Sequence, residues 1–166
     1  MSYQPYPTGG AAEPEPQRPA PPTPVLQAVK LMYAGAIVSA VSLIITLVTV
    51  GSLKTAIHNA EPTLSASKLH SAEVAAVAVA IIFGLIGIGL WLWMAYANKA
   101  GKNWARITST VFFGLDTLSI LTSFKQGEPL LTRLVSILIW LIGLGAIILL
   151  YQRESSAYFS ASKAPR

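Results

Sequence analysis

The sequence predicts an all-α integral membrane protein: a four-helix bundle that crosses the bilayer four times, with its N and C termini in the cytoplasm. Three observations predict it. Of 166 residues 53% are hydrophobic and only 11% are charged, whereas a soluble domain would carry roughly 25% charged residues. Four long runs, 31–53, 74–98, 107–124 and 134–152, are almost free of charge. Lys and Arg fall mainly between those runs, and unevenly on the two sides they define.

Residues 1–24, "MSYQPYPTGGAAEPEPQRPAPPTP", offer almost nothing to bury. Such a segment cannot offset its ordering entropy, and a disordered, Pro-rich cytoplasmic tail with polyproline II character is expected. Its "PAPPTP" could dock an aromatic-lined groove on a partner. The four runs, of 23, 25, 18 and 19 residues, can each span a hydrocarbon layer about 30 Å thick at about 1.5 Å per residue. The third is the shortest and most polar. Short linkers make 25–152 one bundle of antiparallel neighbours, and 153–166 is expected to be a short cytoplasmic tail. The first run is too long for the apolar core of a signal peptide, about 7–15 residues, and a polar leader precedes it. It is therefore read as a retained span. "TAIHNA" extends it until Glu61-Pro62 breaks the helix, and Ser65 or Ser67 is expected to cap the helix leading into the second span.

Orientation follows from the cations. Arg18, Lys30, Lys99, Lys102, Arg106, Arg153, Lys163 and Arg166 lie on one side, and Lys54, Lys68, Lys125 and Arg133 on the other. The positive-inside rule places the richer side, with both termini and the "NKAGKNWAR" loop, in the cytoplasm. Tyr33, Trp93, Tyr96, Trp104 and Tyr151 fall near the same boundary, where amphipathic rings settle. Anionic lipid headgroups are the expected partner of the basic loop. Nucleic acid is not, because the cations do not gather on one face.

The proline-rich tail, "AVKLMYAGAIVSAVSLI", "GLWLWMAYANKAGKNWARITSTVFFGLDTL" and "LLYQRESSAYF" resemble a group of small four-helix membrane proteins of actinobacteria, over about residues 25–159. Trp91-Leu-Trp93-Met, Asn98 and "GKNWAR" carry most of the likeness. The resemblance implies the topology and a plasma-membrane location, and transfers no activity, cofactor or site residue.

One acid, Asp116, sits at the middle of the third run. On a helix it shares a face with Ser109, Phe112, Phe113, Ser119, Ile120 and Ser123. The first run carries Gly35, Ser39, Ser42, Thr46 and Thr49 at alternating spacings of four and three, the spacing of a left-handed seam built from small or hydroxylated residues. Ser42 and Asp116 lie at equal depth, so an intramembrane polar cluster of Asp116, Ser109, Ser119, Ser42 and Thr46 is expected to join the first and third helices. An Asp at mid-bilayer costs roughly 2.5–3.5 kcal/mol, and no cation shares its depth. The uncharged carboxyl, which both donates and accepts, is the expected state.

Two readings of that acid are open. One makes it a packing residue in a structural or interaction protein, whose partner is another membrane protein or a second copy of the chain. The other makes it the working group of a small proton- or cation-coupled transporter or channel component. A polar cavity reaching Asp116 separates them. "HNAE" (58–61) and "HSAE" (70–73) repeat a His-x-x-Glu spacing suited to zinc. A hairpin turn near residue 62 offsets the two pairs, so no metal site is expected. Glu73 is expected near Lys54. Ala76, Ala80, Gly84, Gly87 and Gly89, with Gly143 and Gly145, form ridges that let helices approach. The chain has no Cys, no Gly-rich phosphate cradle and no paired acids. No catalytic or cofactor-binding residue is assigned, and a non-enzyme is expected.

Overall fold

A computed structural model describes residues 20–49, 55, 59, 65–124 and 130–162. Among the described residues five helices have bounds: α1 (Thr23–Val48), α2 (Ala66–Lys99), α3 (Asn103–Ser123), α4 (Leu130–Leu150) and α5 (Arg153–Ala161). No strand occurs among the described residues. Three helices, α1, α2 and α4, are long and apolar enough to cross a membrane. The helix α3 has 21 residues, as α4 does, but its composition is diluted by Asp116 and a row of hydroxyls. Most of the Pro-rich tail, His58, Glu61 and Lys54 lie outside the described residues.

Helix α1 begins eight residues before the first apolar run, at Thr23, with Pro22 flanking it and a Pro in its first turn. Pro is tolerated there because the first N–H groups have no intrahelical partner. The early start adds two turns, and these place Val25, Ala28 and Val29 in the core, next to Met32 of the run itself. Ser65 occupies the position preceding α2, but its hydroxyl makes no cap bond. Instead it lies 3.2 Å from the Ser67 hydroxyl.

The turn from α2 to α3 is fixed by glycine. Gly101 has φ +70°. Its N–H donates to Asn98 O at 3.0 Å, and the Lys102 N–H to Ala97 O at 3.2 Å. This paired closure satisfies the last carbonyls of α2 with a left-handed residue just past the helix end. Substitution is obstructed twice over, because a Cβ at Gly101 would sit 2.5 Å from the Ser162 hydroxyl and 3.1 Å from Tyr158.

The core gathers at the end of the bundle that holds this turn. Val25, Ala28, Val29 and Met32 from the start of α1 meet Met94 and Ala95 near the end of α2, Ala146 and Leu150 of α4, and Tyr158 and Phe159 of α5. The long helices therefore run alternately up and down. Helix α1 packs most extensively on α2 and α4, and α3 packs chiefly on α4. Away from the core, large apolar side chains face outward, among them Ile37, Val48, Phe83, Leu118 and Leu130. A soluble monomer rarely exposes so continuous an apolar surface, and a lipid-facing belt accounts for it.

The closing segment departs from the expected tail. Arg153–Ala161 is a helix tucked beneath the bundle, with Phe159 1% and Tyr158 8% exposed. Tyr158 donates from its hydroxyl to Lys99 O at 2.8 Å, and Ser155 to Leu149 O at 2.7 Å. Arg106 Nη1 donates to Ser156 Oγ at 3.1 Å. Its guanidinium lies 4.7 Å from the Tyr151 ring centroid and 5.2 Å from that of Phe159, within cation–π range. Arg106 thus does more than weight the orientation count: it fastens α3 to α4 and α5.

Candidate functional site: an acid between two hollows

Asp116 lies on α3 where two hollows meet. The larger, of about 210 Å³, is walled by all four long helices: Met32 of α1; Gly87, Leu90, Trp91 and Met94 of α2; Ser109, Phe112, Phe113 and Asp116 of α3; Ile139, Gly143, Ala146 and Ile147 of α4. The smaller, of about 130 Å³, is lined by Asp116, Ser119, Ile120, Ser123, Ser136 and Ile139. One hollow is apolar and aromatic, the other rich in hydroxyls, and the carboxyl belongs to both.

The hollows exist because α2 and α3 touch little and because glycine supplies no side chain to fill the space. A Cβ on Gly87 would meet nothing within 4 Å. Elsewhere the small-residue ridge brings helices close: a Cβ on Gly35 would lie 2.9 Å from Trp91, one on Gly84 2.8 Å from Leu43, and one on Gly143 3.1 Å from Phe113. Gly35 and Gly143 thereby seat the two rings, Trp91 and Phe113, that wall the larger hollow.

Two of its lining residues, Met94 and Ser109, belong to a polar tie. Asn98 is fully buried, and its Nδ2 donates to Met94 O at 2.9 Å and to Ser109 Oγ at 3.1 Å. Ser109 thus both joins α3 to α2 and lines the hollow. Helices α3 and α4 are tied separately. Trp140 Nε1 donates to Thr117 Oγ1 at 2.9 Å, and the Phe113 and Trp140 rings pack with centroids 5.6 Å apart.

The expected polar cluster is therefore rearranged. Asp116, Ser109 and Ser119 do line the hollows, joined by Ser123 and by Ser136 of α4. Ser42 and Thr46 do not. Helix α1 packs on α2 and α4 rather than on α3, so equal depth does not bring the two polar stripes together. The Thr46 hydroxyl instead donates to Ser42 O of its own helix at 2.9 Å. Among the described residues Asp116 has no ion-pair or hydrogen-bond partner. Its carboxyl is not held by the hydroxyls expected to surround it.

The remaining candidates lie apart. His70 Nδ1 is 4.0 Å from Glu73 Oε2 on an exposed stretch of α2. Among the described residues no three His, Asp or Glu side chains converge as a metal would require. Asn98 enters the sequence reading only within the stretch that carries the resemblance, with no structural role, and Ser136 escapes it altogether. Ser136 is the lone hydroxyl between Arg133 and Trp140 in the apolar α4 run, and nothing in one sequence marks which face it occupies. No known protein family, curated protein or solved structure matches the chain.

Proposed function

We propose that this protein is a small proton- or cation-coupled transporter, or a channel component, in which Asp116 is the working group. It is a multi-pass protein of the plasma membrane, crosses the bilayer four times, keeps both termini in the cytoplasm and is not an enzyme. One observation carries the reading: the Asp116 carboxyl is unengaged in packing and opens onto two hollows. An acid inside a helical bundle is costly, and acids in membrane segments mark ion and proton paths when they face a cavity. The packing alternative loses support, because Trp140, Thr117 and Phe113 already tie α3 to α4 and Asn98 ties α3 to α2.

The four-span topology is supported by geometry and charge together. Helix α3 has 21 residues, about 31 Å at 1.5 Å per residue, close to the hydrocarbon thickness of about 30 Å. It runs antiparallel between α2 and α4, and the α2–α3 turn carries Lys99, Lys102 and Arg106 on the side the positive-inside rule makes cytoplasmic. The resemblance to small actinobacterial membrane proteins accords with a plasma-membrane site.

Reconstitution tests the function. Purified protein in vesicles enclosing a pH-sensitive dye should speed dissipation of an imposed proton or cation gradient, and Asp116→Asn should return the rate to that of empty vesicles. Wild-type vesicles no faster than empty ones, or an Asn variant as fast as wild type, would refute it.

A further inference from the structure

The two hollows differ in chemistry but share one acid, and that pairing specifies a ligand class. We propose that together they bind a small amphipathic organic cation: an ammonium carrying one aryl or short alkyl group, its nitrogen at Asp116 and its apolar body beside Trp91, Phe112 and Phe113. This rests on the Asp116 reading above and names what the acid meets.

Size sets the first bound. An apolar cavity of about 150 Å³ accommodates benzene, whereas sites for drug-sized molecules run about 300–1,000 Å³. At about 210 Å³ the larger hollow suits a single ring or a short chain. Charge sets the second. An acid that gives up its proton as the guest arrives can pair with a cation and would repel an anion, and a neutral apolar guest would leave it unused. Trp91, Phe112 and Phe113 line the larger hollow, and aromatic rings attract a cation that reaches their faces. Ser119, Ser123 and Ser136 supply hydroxyl oxygens that can accept ammonium N–H. An inorganic cation would draw on those oxygens alone and would have no use for the aromatic chamber.

Proton balance follows. Before binding the acid is uncharged, and an ammonium entering beside it would be an isolated charge in an apolar layer. Transfer of the Asp116 proton to water leaves a carboxylate, which pairs with the incoming ammonium. One cation enters, one proton leaves, and the occupied site stays neutral overall. Buried charges persist only when paired in this way. The exchange supplies a physical basis for coupling without a second acid.

Calorimetry on the full chain in lipid nanodiscs tests this with three probes: 2-phenylethylammonium, its neutral isostere 2-phenylethanol, and sodium ion. Wild type should bind the ammonium and release about one proton per cation, read from runs in buffers of different ionisation heat. Asp116→Asn should weaken ammonium binding at least about 30-fold, as loss of one member of a buried charge pair does, and change 2-phenylethanol binding less than twofold. Gly87→Leu, whose side chain enters open space, should abolish both while leaving helical circular dichroism unchanged. Absence of ammonium binding, proton release driven by sodium alone, or equal affinity for amine and alcohol unaffected by Asp116→Asn would each overturn it. The two proposals fail separately. Asp116-dependent gradient dissipation without ammonium binding removes the ligand class and keeps the acid's role. Ammonium binding with proton release but no flux keeps the site and removes transport.

Discussion

Phe159→Ala should undock α5 from the bundle. The Phe159 side chain is 1% exposed and is among the largest in the core that joins α1, α2 and α4. Truncation of a buried Phe costs about 3–5 kcal/mol. The Arg106 guanidinium would lose one of its two aromatic neighbours but keep Tyr151, the nearer at 4.7 Å, so the cation–π loss adds little. Holding nine residues in place opposes docking by about 1–2 kcal/mol per backbone residue. Burial of Phe159 and Tyr158 and the bonds to Lys99, Leu149 and Ser156 must outweigh that cost, which leaves a margin of a few kcal/mol. Removal of about 3–5 kcal/mol therefore consumes most of the docking energy. At tenfold per about 1.4 kcal/mol, amides of 153–161 should exchange with deuterium at least about 100-fold faster. Hydrogen-exchange mass spectrometry in nanodiscs reads this directly, with α2 amides as an internal control. Unchanged protection of α5 would refute the view that Phe159 anchors it.

Gly35→Ala and Gly89→Ala should diverge although both sit in apolar helices. A Cβ at Gly35 meets the rigid Trp91 ring at 2.9 Å and one at Gly89 meets nothing within 4 Å, so the first should destabilise by about 1–3 kcal/mol. The second should stabilise by about 0.5–1 kcal/mol through helix propensity, and thermal melting in detergent separates them. Asn98→Ala should lower the melting temperature through a loss of about 1–3 kcal/mol, because it strips the fully buried tie between Met94 O and Ser109 Oγ. A melting temperature equal to wild type would show that Ser109 finds another partner.

Much of the architecture was legible because lipid imposes a simple rule: a helix that crosses it must be apolar for its whole length. The long runs around Ile44, Ile86 and Ile142 announce themselves on that basis, and all three became helices able to span. What lay beyond the rule was hidden. The first two turns of α1 carry Pro, Gln and Lys, yet bury Val25, Ala28 and Val29. Helix α5 is nine residues long and polar on average, and only two aromatic residues in "SSAYF" give it a face to bury. Of the site, the α3 wall was readable from one-face spacing, as Ser109, Phe112, Phe113, Ser119 and Ser123 around Asp116 show. The facing wall was not, since depth alone says nothing about which helix stands opposite. Nor does connectivity say it: three residues separate α2 from α3 and six separate α3 from α4, yet α3 packs chiefly on α4.

Among the described residues the tightly packed side chains gather at the end of the bundle that holds the Gly101 turn. Asp116 lies about 20 Å along α3 from its first residue, Asn103, at 1.5 Å per residue. If the chain works as proposed above, the glycine turn and the residues packed on it set the angle at which α2 and α3 diverge, and with it the width of the space beside the acid.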